Sequence, residues 1–210
     1  MKLTVFGATG GIGGQIVRQA LDAGHEVTAV VRDPARLGVE AGGRLEVVRA
    51  ELTDARSLRP ALAGRDAVLS GLGARSRKDA GVAARLTRTV LDAMEAAEVR
   101  RLVVVSAGPV GPEPDDGFLD RGMRAIVSAV LKEVYDDLRA MEAALAGSAT
   151  DWTVVRPPRL QDKPLTGSYR TVVGGFPPRG RFIGRADVAH AMLALTDDPG
   201  AVRQGVGVAY

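Results

Sequence analysis

Residues 5–13, Val-Phe-Gly-Ala-Thr-Gly-Gly-Ile-Gly, set Gly7, Gly10 and Gly13 at three-residue intervals. Leu3, Val5 and Phe6 read as a buried strand before them, and Ile12, Ile16, Val17, Ala20 and Leu21 repeat with helical period after them. A strand, a glycine turn and a helix in that order make an anion site. The first backbone N–H groups of the helix have no partner within it, and they lie at the positive end of its dipole. The first glycine permits the tight turn, the middle one lets phosphate oxygens approach the backbone, and the last brings the helix close to the strand. Residues 23–26, Ala-Gly-His-Glu, end the helix just before a second apolar run, 27–31. The whole strand–helix–strand unit therefore fits a dinucleotide fingerprint, with the pyrophosphate on the glycine turn.

The end of the second strand selects among dinucleotides. An acidic residue there would accept hydrogen bonds from a ribose 2′-hydroxyl, but this chain has Arg32, with Arg36 one turn further on. Both can pair with a 2′-phosphate, which favours NADPH over NADH. The alternative is a pair of surface arginines flanking the turn at Asp33-Pro34. Later strand ends supply further candidates. Glu51 and Leu52 fall where an adenine would be bracketed, and Leu72, Gly73 and Arg75 fall where the chain passes the pyrophosphate and ribose. Ser106, at the end of the fifth strand, either faces a nicotinamide or caps a turn. Tyr135 stands four residues before Arg139, an arrangement that either biases the tyrosine as a proton donor or arises by chance on an amphipathic helix.

The elements that must position these residues follow from the apolar pattern. Strand signals recur at 3–6, 27–31, 45–48, 67–70, 102–105 and 153–155, separated by segments of helical period. That alternation predicts an α/β fold, a doubly wound, Rossmann-type parallel sheet. Asp54 is expected to cap a helix carrying Leu58 and Leu62, and Val82, Leu86, Val90, Leu91 and Met94 mark another. The glycine- and proline-rich stretch 108–117 reads as a loop bordering the reacting end of the cofactor, followed by one long helix from Met123 to Leu145. After the sixth strand, residues 156–167 read as a proline-punctuated loop. Short strands at 169–173 and 181–183, a helix over 187–195 and a last strand near 206–209 follow. Residues 157–185 are expected to form a small substrate-side lobe within a single domain, 1–210.

Composition narrows the function classes. With 210 residues and 46% hydrophobic content, one core suffices, burying about 70% of the unfolded surface. The chain has no cysteine, which excludes disulfides, thiolate nucleophiles and sulfur-ligated zinc, and its two histidines, His25 and His190, are far apart. No metal site is expected. The pI of 9.6 accompanies a net charge of only +3, with acidic residues among the basic ones, so no nucleic-acid partner is expected. No signal peptide or membrane-spanning run is read, which gives the expectation of a cytoplasmic protein. The chain is expected to be a monomer or weak homo-oligomer.

Beyond the glycine turn, the Val-Val-Arg-Asp-Pro run, the strand ending in Val-Ser-Ala, Val134-Tyr-Asp-Asp137 and above all residues 157–169, Pro-Pro-Arg-Leu-Gln-Asp-Lys-Pro-Leu-Thr-Gly-Ser-Tyr, are distinctive. In these the chain resembles, over essentially its whole length, the flavin reductase/biliverdin-IXβ reductase family of atypical short-chain dehydrogenases, related to the NmrA-like proteins. The resemblance implies an NADPH-dependent reductase that passes hydride to a flavin or planar tetrapyrrole in a shallow pocket. It places Gly7, Thr9, Gly10, Gly11 and Ile12 at the pyrophosphate, Arg32 and Arg36 at the 2′-phosphate, and Glu51 and Leu52 at the adenine. Leu72, Gly73 and Arg75 continue along the cofactor, and Ser106, Pro157 and Pro158 lie next to the nicotinamide. The chain departs from the family where histidines are usual, with Arg159 after the two prolines and Leu138 after Asp-Asp, and Ala50-Glu51 stands for Gly-Asp.

Hydride transfer to such acceptors needs C4 of the nicotinamide within about 3–3.5 Å of the acceptor, and solvent can supply the proton. Reduction of a simple ketone would want a Tyr-Lys pair. Arg159 and Arg181, both in the lobe, suit the propionates of a bilin or the phosphate of a flavin, or are exposed loop arginines. Two other readings stay open. One is a non-catalytic NAD(P) sensor of the NmrA-like kind; the other is a reductase of a quinone or carbonyl compound.

Overall fold

The computed structural model describes residues 1–73, 81–111 and 131–210. Eight strands form the main sheet: β1 (Lys2–Phe6), β2 (Glu26–Val31), β3 (Leu45–Arg49), β4 (Ala67–Ser70), β5 (Arg101–Val105), β6 (Asp151–Arg156), β8 (Arg170–Val173) and β10 (Gln204–Ala209). Their order is β3-β2-β1-β4-β5-β6-β10-β8, parallel throughout except that β8 runs antiparallel to β10. The remaining pair, β7 (Arg159–Gln161) and β9 (Phe182–Gly184), makes a separate two-stranded parallel sheet.

The inner strands are mostly apolar because both of their faces are covered, as parallel sheets require, while the edge strands β3 and β8 are partly exposed. Leu3, Val5, Val27, Ala29, Val103 and Val105 face the core under α1 (Gly11–Asp22) and α5 (Arg185–Ala194). Phe6, Val30, Leu102 and Val104 face the core on the other side, under α2 (Ala55–Leu62), α3 (Val82–Ala96) and α4 (Lys132–Ala146). Asp54 caps α2 as expected, its carboxylate accepting from the Arg56 N–H at 3.0 Å.

This is the α/β, Rossmann-type arrangement the alternation implied, with two differences in the second half. Residues 159–161, read as loop, form β7, because Leu160 packs on the core and registers with Ile183. The strand at 170–173 joins the edge of the main sheet instead of the lobe, where Val172 stands opposite Gly207. Of the helix expected over 123–145, the described part is α4; its start and the loop residues after Gly111 lie outside the described residues, as does Arg75. No helix among the described residues is long and apolar enough to cross a membrane.

The crossover sets the site. The chain runs outward from β1 to β3, then returns to lay β4 on the other side of β1, which opens a crevice at the carboxyl ends of β1 and β4.

Candidate dinucleotide site

Backbone contact at that crevice leaves no room for side chains. Gly7 has φ +72°, and a Cβ on it would stand 2.7 Å from the carbonyl carbon of Gly71, at the end of β4. A Cβ on Gly13 would stand 2.2 Å from the Gly7 oxygen, so α1 can lie this close to β1 only with glycine there. Gly10 precedes α1 without a side-chain cap, and the first turn of α1 holds no acidic residue. The N–H groups of this turn keep their affinity for an anion. Ile12 is buried and anchors the turn in the core.

Beside the turn, Thr9, Arg32, Asp33, Arg36 and Glu51 line an open pocket of about 330 Å³. Four of these five are the residues that the sequence pattern marks, and they come from three different strand ends. Asp33 is the addition. Its carboxylate accepts from the Ala35 N–H at 3.2 Å and so shapes the short helical turn Pro34–Arg36 that carries Arg36. Leu52 is buried among the residues under α2, next to the pocket rather than in its lining. Leu72 is half-buried and Gly73 exposed as the chain leaves β4.

At the far end of the crevice, Ser106 follows β5. Its N–H donates to the Val155 carbonyl at 2.8 Å, while its hydroxyl, buried, has no hydrogen-bond partner among the described residues. An orphaned buried hydroxyl needs an explanation, and a ligand amide is a suitable one. Pro157 is buried, with its carbonyl accepting from the Gly108 N–H at 2.7 Å, and Pro158 is half-buried beside it. The Phe176 ring closes on Gly108, where a Cβ would stand 2.9 Å from Cε2. The Ser106–Val155 and Gly108–Pro157 backbone bonds and the Phe176 ring on Gly108 gather these residues at this end.

Tyr135 does not join that group. It is buried among the residues between α3 and α4, and burial pushes its hydroxyl ionisation up, the opposite of what a proton donor near neutrality requires. Arg139 gives it no help, because its guanidinium pairs with Asp136 at 2.9 Å. The neighbouring Asp137 accepts from the Ala83 and Ala84 N–H groups, both at 2.9 Å, and so ties α4 to the start of α3. Leu138 is core.

Arg159 registers with Phe182 in the β7–β9 pair, and Arg181 is the residue just before β9. Both are exposed. Arg185, the first residue of α5, carries no mark in the sequence pattern, yet its side chain crosses the face of Gly11: a Cβ there would stand 2.6 Å from Arg185 Cδ. A larger open cavity, of about 750 Å³, lies at the amino ends of β5 and β6, lined by Glu98, Arg100 and Gly147 among others. It is on the wrong edge of the sheet for a ligand of this fold.

A bare turn, a pocket that holds two arginines and an orphaned hydroxyl, spaced along one edge, fit a nicotinamide dinucleotide. Comparison with known proteins agrees. The NAD(P)H-binding family model matches residues 7–199, and the chain belongs to that family. A sugar epimerase of Bacillus subtilis, YhfK, itself uncharacterised, is 28% identical over 205 residues, covering 94% of this chain and 89% of its own. The photosystem II assembly factor Ycf39 of Cyanophora paradoxa is 30% identical over 109 residues, which is 50% of this chain but only 34% of that protein. Among solved structures, the anaerobilin reductase ChuY of Escherichia coli O157:H7 superposes with a TM-score of 0.78 at 22% identity, over 100% of this chain and 97% of that one. The protein is an NAD(P)H-binding protein by family.

Proposed function

We propose that the protein is an NADPH-dependent reductase that delivers hydride to a flavin or bilin-like planar acceptor lying beside Ser106, Pro157, Pro158 and Phe176. The observation that carries the acceptor class is the burial of Tyr135, with Arg139 turned to Asp136. The side chain spaced to protonate a carbonyl is in the core, so the acceptors that suit the site are those whose proton can come from solvent. The fold shared with an anaerobilin reductase supports the same class.

When bound, the cofactor supplies the hydride; the chain supplies position. The N–H groups after Gly10 hold the pyrophosphate, and Arg32 and Arg36 pair with the 2′-phosphate at the open pocket. Ser106 donates to the carboxamide and so orients the ring. The two prolines and Phe176 keep water from one face. Arg159, in β7, and Arg181, just before β9, receive the acidic groups of the acceptor.

The test is direct. Purified protein is titrated with NADPH and NADH, then supplied with FMN, a linear tetrapyrrole or a quinone while the loss of reduced nicotinamide is followed. NADPH should bind about tenfold more tightly than NADH, with the difference lost in Arg32→Ala. Tight binding without turnover on any of the three acceptor types would make the protein a dinucleotide sensor instead.

A further inference from the structure

The glycine turn is not faced by backbone alone. Arg185 opens α5, and its stem lies against Gly11, with Cδ 2.6 Å and Nε 3.1 Å from where a Cβ on that glycine would be. Its guanidinium reaches past the turn to the Asp162 carboxylate at 2.6 Å. The stem cannot drift far, because α5 is fastened to α1 by the Gln19 amide, which donates to the Ala186 carbonyl at 2.9 Å. The two ends of the ion pair differ in exposure. The Arg185 side chain is 31% exposed and that of Asp162 is 88% exposed. A cation is thus held in place beside the first turn of a helix that has neither a side-chain cap nor an acid, and its partner is a loop carboxylate standing in water.

We propose that Arg185 is the side-chain ligand of the cofactor diphosphate, and that Asp162 competes with the diphosphate for the same guanidinium. This rests on the placement of the cofactor proposed above. Three points of physical chemistry support it. A guanidinium presents a fork of donors that matches two phosphate oxygens as well as it matches a carboxylate. The exposed pair with Asp162 is weak, of the order that solvent-exposed ion pairs usually are, so exchange costs little. The diphosphate would also gain the N–H groups of α1, which Asp162 does not use. Because Asp162 lies one residue beyond β7, in the lobe beside Arg159, the exchange would link dinucleotide binding to the segment that faces the acceptor.

Calorimetric titration of the full chain with NADPH and with 2′-AMP, which lacks the diphosphate, tests this. Arg185→Ala should weaken NADPH about tenfold and leave 2′-AMP unchanged, since only the former reaches the turn. Arg185→Lys should fall between Arg185→Ala and the native protein, keeping the charge but losing the fork. Asp162→Asn should tighten NADPH by about twofold to fivefold, the reverse of what loss of a structural ion pair would do. The assignment is overturned if native and Arg185→Ala proteins bind NADPH equally, or if Arg185→Ala weakens both ligands alike. It is equally overturned if only the KM for the acceptor moves. A native protein that bound 2′-AMP and NADPH with no difference, or bound neither, would instead overturn the cofactor placement itself.

Discussion

The carboxylate of Asp187, fully buried at the start of α5, accepts the hydroxyl of Tyr210 at 2.5 Å and joins the end of the chain to the lobe. The same carboxylate accepts from the Thr166 N–H at 3.0 Å, the Gly167 N–H at 2.8 Å and the Thr166 hydroxyl at 2.9 Å. One residue therefore fixes the segment after Asp162 and the C-terminal residue at once. Burial disfavours its ionisation, but the hydrogen bonds from Tyr210, Gly167 and Thr166 outweigh that and hold its carboxyl below the usual carboxylate range.

Removing this arrangement should destabilise the fold. Tyr210→Phe deletes one hydrogen bond to a buried charge and should cost about 2 kcal/mol in urea unfolding at neutral pH. The acid dependence has a definite sign. The folded carboxyl titrates below the unfolded value of about 3.9, so its contribution is whole above that value and is lost as pH falls through the folded one. Unfolding followed from neutrality to strongly acidic pH should show this loss in the native protein and a smaller one in Tyr210→Phe. Equal acid slopes in the two would mean that the hydroxyl does not stabilise the charge.

Tyr169 titrates in the other direction. Burial first, and the nearby charge of Asp187 second, push its hydroxyl up to about 12, and that hydroxyl lies 2.6 Å from His190 Nδ1. An unfolded tyrosine ionises near 10, so this contribution is intact below about 10 and disappears progressively as pH rises towards the folded value. Alkaline unfolding of Tyr169→Phe should lack that part of the slope. An unchanged slope would assign it elsewhere.

Much of the fold and of the dinucleotide end of the site is legible in the sequence. Both faces of the sheet are covered, so its inner strands print as apolar runs such as Leu3, Val5 and Phe6, and the turn needs glycine at Gly7 and Gly13 for reasons of space that composition cannot hide. What escapes is tertiary. Arg159, Leu160 and Gln161 offer one apolar side chain among two polar ones, and their partner strand begins only at Phe182. Arg185 looks like any first helical residue until α5 is laid on α1. Tyr135 and Arg139 share a helix face by spacing, yet Arg139 turns to Asp136, three residues away on the same exposed side, while Tyr135 enters the core. Periodicity gives a face; it does not give the partner.

The contact between Gly13 and Gly7 predicts an intolerant position. A Cβ 2.2 Å from one backbone oxygen and 2.6 Å from the adjoining carbon cannot be relieved by a rotamer change, so α1 must move off β1. Gly13→Ala should lose about 3 kcal/mol of stability and, with α1 displaced, most of its dinucleotide affinity. Chemical unfolding and an NADPH titration measure the two effects separately; a protein of native stability and affinity would mean the approach is looser than 2.2 Å implies.

Tyr135→Phe and Ser106→Ala should separate a core residue from a site residue. Burial raises the Tyr135 hydroxyl, and its ring fills space between α3 and α4, so the phenylalanine keeps the packing and removes only the group a proton donor would use. Turnover on a flavin or bilin should stay within about twofold of native, with no change in the shape of its pH profile, because no catalytic proton passes through this hydroxyl. Ser106→Ala removes a hydroxyl that is buried without a partner among the described residues, so the protein should be no less stable. Its NADPH affinity and kcat should fall together by about tenfold if that hydroxyl orients the nicotinamide amide. Steady-state kinetics with unfolding curves on both variants decide the matter, and a pH profile altered in Tyr135→Phe, with Ser106→Ala silent, would return the proton donor to Tyr135.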